Sequence, residues 1–208
     1  MGLKLKGTKE RIFDEAIELM AKKGFEDVSM REIADEVGVQ VSSIYNHFSS
    51  KEEILDTIYQ YFGIHRLDSR NSADYIKAII EGGTAREVIR ILSDTAFESE
   101  KNIDKRMVLI PKIILMRVYK DVKASRFFLH DWYERDMEHF EKWIGYAVEI
   151  GRLGNDFEIE AFSMLFWKQL IAIKICAVAD PNYEVKKLYE EEQFLDMFAR
   201  LLPLKDLV

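Results

Sequence analysis

The chain has 208 residues, 48% of them hydrophobic and 12% aromatic, so it can bury a core in one large or two smaller domains and is not intrinsically disordered. A formal charge of −7 at pH 7 excludes a protein that coats nucleic acid through an overall basic surface, and any DNA contact must lie on a local face. Three prolines and ten glycines favour long helices over many short strands, so we expect an all-α fold.

The single cysteine excludes an internal disulfide bond and suits a reducing compartment. Cys176 has apolar neighbours, so we expect a buried, inert thiol. No long apolar run follows the positive charges at the N-terminus, which argues against a signal peptide. These features predict a cytoplasmic protein that is not embedded in a membrane.

The first predicted helix covers residues 8–23, where apolar residues recur at helical spacing. Thr8 is its candidate N-cap and Gly24 its stop signal. Ser29 followed by Glu32 is a capping box that begins a second, short helix.

Gly38 ends that helix, and a third is predicted over about 41–47. Ser50 and Glu53 form another capping box, which begins a fourth helix. Two short helices joined by a glycine-containing turn are typical of a helix-turn-helix, whose second helix enters the DNA major groove.

The remainder also has helical periodicity. A capping box at Thr84 predicts a helix to about residue 99, and another is predicted over 104–120. Pro111 lies inside the second of these and predicts either a kink or a first turn, and a lone buried strand is the competing interpretation.

Three more helices are predicted over 125–152, 157–179 and 183–202. The first carries two adjacent apolar stripes, and the second is apolar almost all round. Two lysines within 157–179 argue against a membrane span. We expect the helices over about 125–152 and 157–179 to pack within their own domain and to form an intermolecular four-helix bundle in a homodimer.

The N-terminal region resembles the DNA-binding domain of the TetR family over about residues 8–60. The residues that carry the resemblance are Gly24-Phe25, Val28-Ser29-Met30-Arg31-Glu32-Ile33-Ala34, Val37-Gly38-Val39, Ile44-Tyr45-Asn46-His47-Phe48 and Ser50-Lys51-Glu52-Glu53-Ile54. The resemblance implies a homodimeric transcriptional repressor that leaves a palindromic DNA operator when a small molecule binds. It also implies a helix-turn-helix domain over 1–50 and a helical effector-binding and dimerisation domain over 51–208.

The resemblance implies roles for single residues, and hydroxyls, amides and an ammonium group suit them chemically. Expected phosphate contacts are Ser29, Tyr45, His47 and Lys51. Expected contacts to base edges are Gln40, Ser42, Ser43 and Asn46, with Arg31 as a further candidate and Val41 facing a thymine methyl group.

Two positions depart from the family pattern. Gln40 stands where a capping serine is common, and Val41 stands where a basic residue is common. Through Phe62 there are 8 Lys and Arg against 12 Asp and Glu. We therefore expect DNA affinity to depend only weakly on salt.

Apolar and aromatic residues after position 90 suggest an effector pocket, although ordinary core is the competing interpretation for each of them. As a group they suit an apolar or aromatic ligand, held by polar groups such as His130, His139, Lys168 or Gln169. The candidate wall residues are Phe97, Met107, Ile110, Ile114, Phe128, Trp132, Tyr133, Met137 and Trp167.

No catalytic signature is recognisable, and we expect neither an enzyme nor a cofactor. Asp136 and His139 have ligand spacing on a helix, but a di-metal bundle needs two such pairs, so no metal site is expected. A helical-bundle enzyme and a helix-turn-helix interaction protein without an effector remain as alternatives.

Overall fold

The computed structural model describes residues 5–68, 73–97, 104–179 and 184–206. Every regular element in these ranges is helical, as the sequence predicts. A π-helical segment, Phe127–Glu134, lies between the eighth and ninth α-helices. The α-helices are α1 (Thr8–Lys23), α2 (Met30–Val37), α3 (Val41–Tyr45), α4 (Lys51–Asp68), α5 (Ala73–Gly82), α6 (Ala85–Phe97), α7 (Lys105–Arg117), α8 (Val122–Arg126), α9 (Arg135–Glu149), α10 (Ile159–Ala179) and α11 (Glu184–Leu201).

The chain divides into two compact units. The first unit is Met1–Asp68 with Glu100–Trp132, and the second is Ser69–Ser99 with Tyr133–Val208. Helices α4, α7 and α8 therefore pack with the helix-turn-helix, whereas the sequence-based division placed a functional boundary between residues 50 and 51. Packing and function are different criteria, and the functional boundary stays a proposal.

The first unit is built around α1. Its apolar face is buried, and Ile12, Phe13 and Met20 have no exposed surface. Gly7, not Thr8, is the N-cap: its carbonyl accepts the first helical bond, from the Arg11 amide at 3.1 Å. The prediction for Thr8 is wrong because Gly7 already carries the non-helical backbone of a cap, with φ of 61°.

Predicted start and stop signals hold in the next helices. The amide of Glu32 donates to Ser29 Oγ at 3.1 Å, which caps α2. Gly38 ends α2 in the left-handed conformation, with φ of 74° and ψ of 39°. The Glu53 amide donates to Ser50 Oγ at 3.2 Å at the start of α4.

The helix predicted over 125–152 is confirmed as helical backbone over most of its length, but part of it is not α-helical. The chain forms α8, the π-helical segment and α9 in direct succession. Because π-helix hydrogen bonds join residues five apart, apolar positions laid out at α-helical spacing do not stay on one face across the segment. Trp132 is buried in the first unit, whereas Phe140 and Trp143 belong to the core of the second.

An aromatic cluster forms the centre of the second unit. Phe166 stacks on Phe140 with ring centroids 4.1 Å apart and contacts Phe194 and Phe198 at 5.0 Å each. The predicted capping box at Thr84 is complete, since Thr84 and Glu87 exchange bonds in both directions.

Two other predictions are settled in the described residues. Pro111 lies buried inside α7 and not in its first turn. Cys176 is exposed on α10, so the prediction of a buried thiol is wrong. None of the described helices combines the length and apolar character that crossing a membrane requires.

Candidate DNA-binding site

The second helix of the helix-turn-helix, α3, presents polar side chains on its outer face. Gln40, Ser42 and Asn46 are exposed, and Ser43 is half-buried. Ile44 is fully buried and anchors the helix in the core. The polar groups predicted to meet base edges are therefore accessible to solvent on a helix that the core holds in place.

Other predicted contacts flank α3. Ser29 is exposed at the start of α2, and Arg31 is exposed in its first turn. Tyr45 is 52% exposed, which is unusual for a large aromatic residue and suits a hydroxyl held toward solvent. Val41 and His47 are half-buried.

Lys51 is in a different situation from the other predicted phosphate contacts. Its Nζ donates to the carbonyl oxygens of Phe25 at 2.7 Å, Glu26 at 3.3 Å and Val28 at 2.7 Å. The ammonium group also lies 4.3 Å from the centroid of the Phe25 ring. These bonds use all three hydrogens of the ammonium group.

Basic residues of α7 and α8 pair with acids of the helix-turn-helix region. Arg106 binds Asp14 at 2.6 Å and Glu10 at 2.9 Å. Arg117 binds Glu26 at 2.8 Å, and Lys123 pairs with Asp56. Sequence reasoning missed this network, although a signal was present: residues 105–126 carry seven Lys and Arg and one Asp.

The two units differ in formal charge. The first unit has 17 Lys and Arg against 17 Asp and Glu, so it is formally neutral. The second unit has 13 basic and 20 acidic residues and carries the whole charge of −7. The deficit of basic residues counted through Phe62 is therefore compensated within the same unit.

The predicted effector residues fall into separate groups. In the first unit Ile110 and Ile114 are buried, Met107 is half-buried, and Trp132 contacts Phe128 with ring centroids 5.5 Å apart. In the second unit Tyr133 contacts Trp167 edge-on at 4.5 Å, and Met137 is half-buried. The side chain of Phe97 lies outside the described part of the structure.

The polar groups proposed to hold an effector are also divided between the two units. His130, Lys168 and Gln169 are exposed, and His139 accepts a bond from Trp143 Nε1 at 3.1 Å. A groove of about 550 Å³ lies between α1 and α7 in the first unit, but charged side chains dominate it and no predicted effector residue lines it. Its lining residues are Asp14, Glu15, Ile17, Glu18, Asp104, Lys105, Arg106 and Leu109.

Within the described ranges, no three His, Cys, Asp or Glu side chains come together as a possible metal site. Burial raises the pKa of Tyr59 to about 12, and the nearby Arg117 charge acts in the opposite direction. Tyr59 lies on α4 and stacks on Phe127 with centroids 5.0 Å apart. This phenol stays neutral at physiological pH.

The family model described as "Bacterial regulatory proteins, tetR family" matches residues 12–58. YerO, an uncharacterised HTH-type transcriptional regulator of Bacillus subtilis, is 34% identical over 103 residues, which are 49% of this chain and 34% of that protein. KstR2, an HTH-type transcriptional repressor of Rhodococcus jostii, is 28% identical over 172 residues, 81% of this chain and 79% of that protein. The matched segment thus spans about a third of the length of YerO.

A solved transcriptional regulator from Saccharomonospora viridis, in complex with choline, superposes with a TM-score of 0.70. It covers 95% of this chain and 97% of its own, at 17% sequence identity, a level that establishes a shared fold. The matched model spans α2, the glycine turn and α3, and the same elements present the exposed polar face described above. Residues 12–58 are therefore similar to the DNA-binding domain of the tetR family of transcriptional regulators.

Proposed function

We propose that this protein is a cytoplasmic homodimeric repressor that binds a near-palindromic DNA operator and is released from it by a small apolar or aromatic effector. It acts by binding and not by catalysis. The observation that carries the proposal is the exposed polar face of α3, held by a buried Ile44 and flanked by the exposed Ser29 and Tyr45.

The chemistry of each side chain determines whether we propose it as a contact to bases or to phosphates. Asparagine and glutamine pair bidentately with adenine, so Asn46 and Gln40 are the first candidates for reading bases. Ser42, Ser43 and Arg31 supply further donors, and Val41 supplies apolar contact to a thymine methyl group. Ser29, Tyr45 and His47 lie at the edges of this face and suit phosphates, which position the protein without reading sequence.

A homodimer would place two copies of α3 in successive major grooves, about 34–36 Å apart. An exposed apolar surface on the second unit supports association. On α10, Leu165 is 56% exposed and Ile175 is 44% exposed, and on α11 Leu201 is 50% exposed. Contiguous exposed apolar surface is typical of protein interfaces, and α10 packs against α11. We propose that α10 forms the dimer together with α11, in addition to the expected contribution from residues 125–152.

The effector is proposed to be apolar because the candidate residues around Trp132 in the first unit and around Trp167 in the second unit are aromatic. The choline complex of the Saccharomonospora viridis regulator supports small-molecule binding on this fold. Planar aromatics, acyl chains and quaternary amines are therefore the first classes to screen for release of DNA.

The test is fluorescence anisotropy of labelled DNA from upstream of the gene against scrambled DNA, at about 0.1 M salt. We expect preferential binding of one sequence. Replacing Asn46 by alanine should reduce discrimination at particular base pairs by about 1–3 kcal/mol. Asn155→Ala is the matched control, because Asn155 is also exposed but lies in the second unit.

Two results would contradict the proposal. Equal losses for the Asn46 and Asn155 variants would remove α3 as the reading helix. Equal affinity for every DNA sequence in a binding-site selection would exclude a sequence-specific regulator. A protein that selects an operator but releases it for no ligand class would favour the interaction protein without an effector.

A further inference from the structure

The loop of four residues between Gly24 and Ser29 joins α1 to α2 and is partly buried. It begins after Gly24, whose φ of 89° turns the chain out of α1. Phe25 and Val28 are buried, at 8% and 2% exposure. The loop leads directly into Ser29, which caps α2, so its position fixes the start of the helix-turn-helix.

Two cations lie against the Phe25 ring. Lys51 Nζ lies 4.3 Å from the ring centroid, and the guanidinium carbon of Arg117 lies 4.1 Å from it. The ring therefore contacts both the first residue of α4 and the last residue of α7. A cation against an aromatic face gains most where water is excluded.

Each cation also donates hydrogen bonds to the loop. Lys51 donates to the carbonyls of three loop residues, as described above. Arg117 is only 8% exposed and binds Glu26 at 2.8 Å and Asp121 at 2.7 Å. The buried Arg117 charge is costly to leave without its acidic partners, whereas the Glu26 side chain is about half exposed to solvent.

We propose that Lys51 and Arg117 are positioning residues, which hold the α1–α2 loop through Phe25 and thereby set the helix-turn-helix for DNA, and that Lys51 does not bind a phosphate. The proposal rests on the proposed operator binding. It assigns Lys51 a role opposite to the one that the family resemblance implies, since an ammonium group with three carbonyl partners has no hydrogen left to donate.

The salt dependence of operator binding separates the two roles of Lys51. A lysine that neutralises a phosphate contributes about 0.9 to the slope of log affinity against log salt. Lys51→Gln should weaken operator binding about ten- to a hundredfold while the slope stays at the wild-type value. A slope lowered by about 0.9 would overturn the positioning role.

Hydrogen exchange measured on the protein without DNA gives an independent readout. Lys51→Gln and Arg117→Gln should each speed hydrogen exchange of the amides of residues 24–29 about tenfold or more. The reason is that the loop opens more often when the contacts that hold it are lost. Arg117→Lys keeps the charge but loses the planar fork, so it should restore only part of the protection. Unchanged exchange in the folded Lys51 variant would overturn the proposal.

Lys105→Gln is the matched control. Lys105 pairs with Glu18 at 2.5 Å on the same unit but lies away from the loop, so loop exchange and operator affinity should stay at wild-type values. If the wild-type protein selects no operator, the proposed function fails, while the exchange data still decide whether the two cations hold the loop.

Discussion

Replacing Leu165 by glutamate tests whether the apolar surface of α10 forms a dimer. Burying a whole leucine side chain contributes about 1.5–3 kcal/mol, and Leu165 has 56% of its surface left to bury. Burial of Leu165 therefore contributes about 1–1.5 kcal/mol per protomer, and a two-fold symmetric dimer contains two such residues. Loss of about 2–3 kcal/mol weakens the dimer about 30- to 150-fold, before any cost of burying a carboxylate.

Sedimentation velocity over a concentration series measures the change in dimer dissociation constant. Val108→Glu is the matched control, because Val108 is 54% exposed but lies on α7 in the first unit. The reasoning fails if the Leu165 variant dimerises as the wild type does, or if the Val108 variant loses the dimer equally. The exposed Cys176 on α10 adds a chemical readout, since thiol labelling should be faster in the monomeric variant.

Three further outcomes test local features. Gly38→Ala should cost about 1–2 kcal/mol of stability from its positive φ alone, since a Cβ there meets nothing within 4 Å, and it should also weaken operator binding. Gly151→Ala, which is equally uncrowded at a φ of 79°, should leave operator affinity unchanged. Urea unfolding measures the stability of both variants, and fluorescence anisotropy measures their operator affinity. Because its pKa is raised above the ordinary value of 10.0 to about 12, Tyr59 contributes stability that is complete below pH 10 and is lost as pH rises through 12. In Tyr59→Phe the free energy of unfolding should fall by about 2 kcal/mol less over this pH range. The same pH dependence of unfolding in the variant and the wild type would refute the assignment. Ser50→Ala should cost about 1 kcal/mol by removing the cap of α4, measured by thermal unfolding.

Local signals predicted the helix-turn-helix well. Ser29 and Gly38 act through bonds to residues a few positions away, so their roles follow from sequence neighbours alone. The exposure of Asn46 and the burial of Ile44 also follow from helical spacing.

Features that depend on distant residues could not be predicted in the same way. The partners of Lys51 lie 23 to 26 residues earlier, and Arg117 reaches back 91 residues to Glu26. A motif describes Lys51 by its place at a helix start, where a phosphate is one possible partner. Only the folded chain supplies the three carbonyl groups.

The segment over 125–152 was correctly predicted as helical, but its π-helical part was missed for another reason. A π-helical turn keeps the same apolar composition as an α-helix, and only its hydrogen-bond spacing differs. Periodicity analysis at α-helical spacing therefore places Trp132 and Trp143 on one stripe, although they belong to the cores of different units. The exposure of Cys176 was missed because apolar neighbours along α10 do not distinguish a face that is buried within the chain from one that is left open.

The unequal division of charge bears on how such a regulator would search a genome. Random DNA attracts proteins through counterion release, which scales with the number of phosphates neutralised. A formally neutral first unit attached to a second unit of charge −7 gives little of this attraction. Few molecules would be held on non-operator sequence, so a small number of copies could keep an operator occupied. The rate of finding it would then depend more on three-dimensional diffusion than on sliding along the duplex.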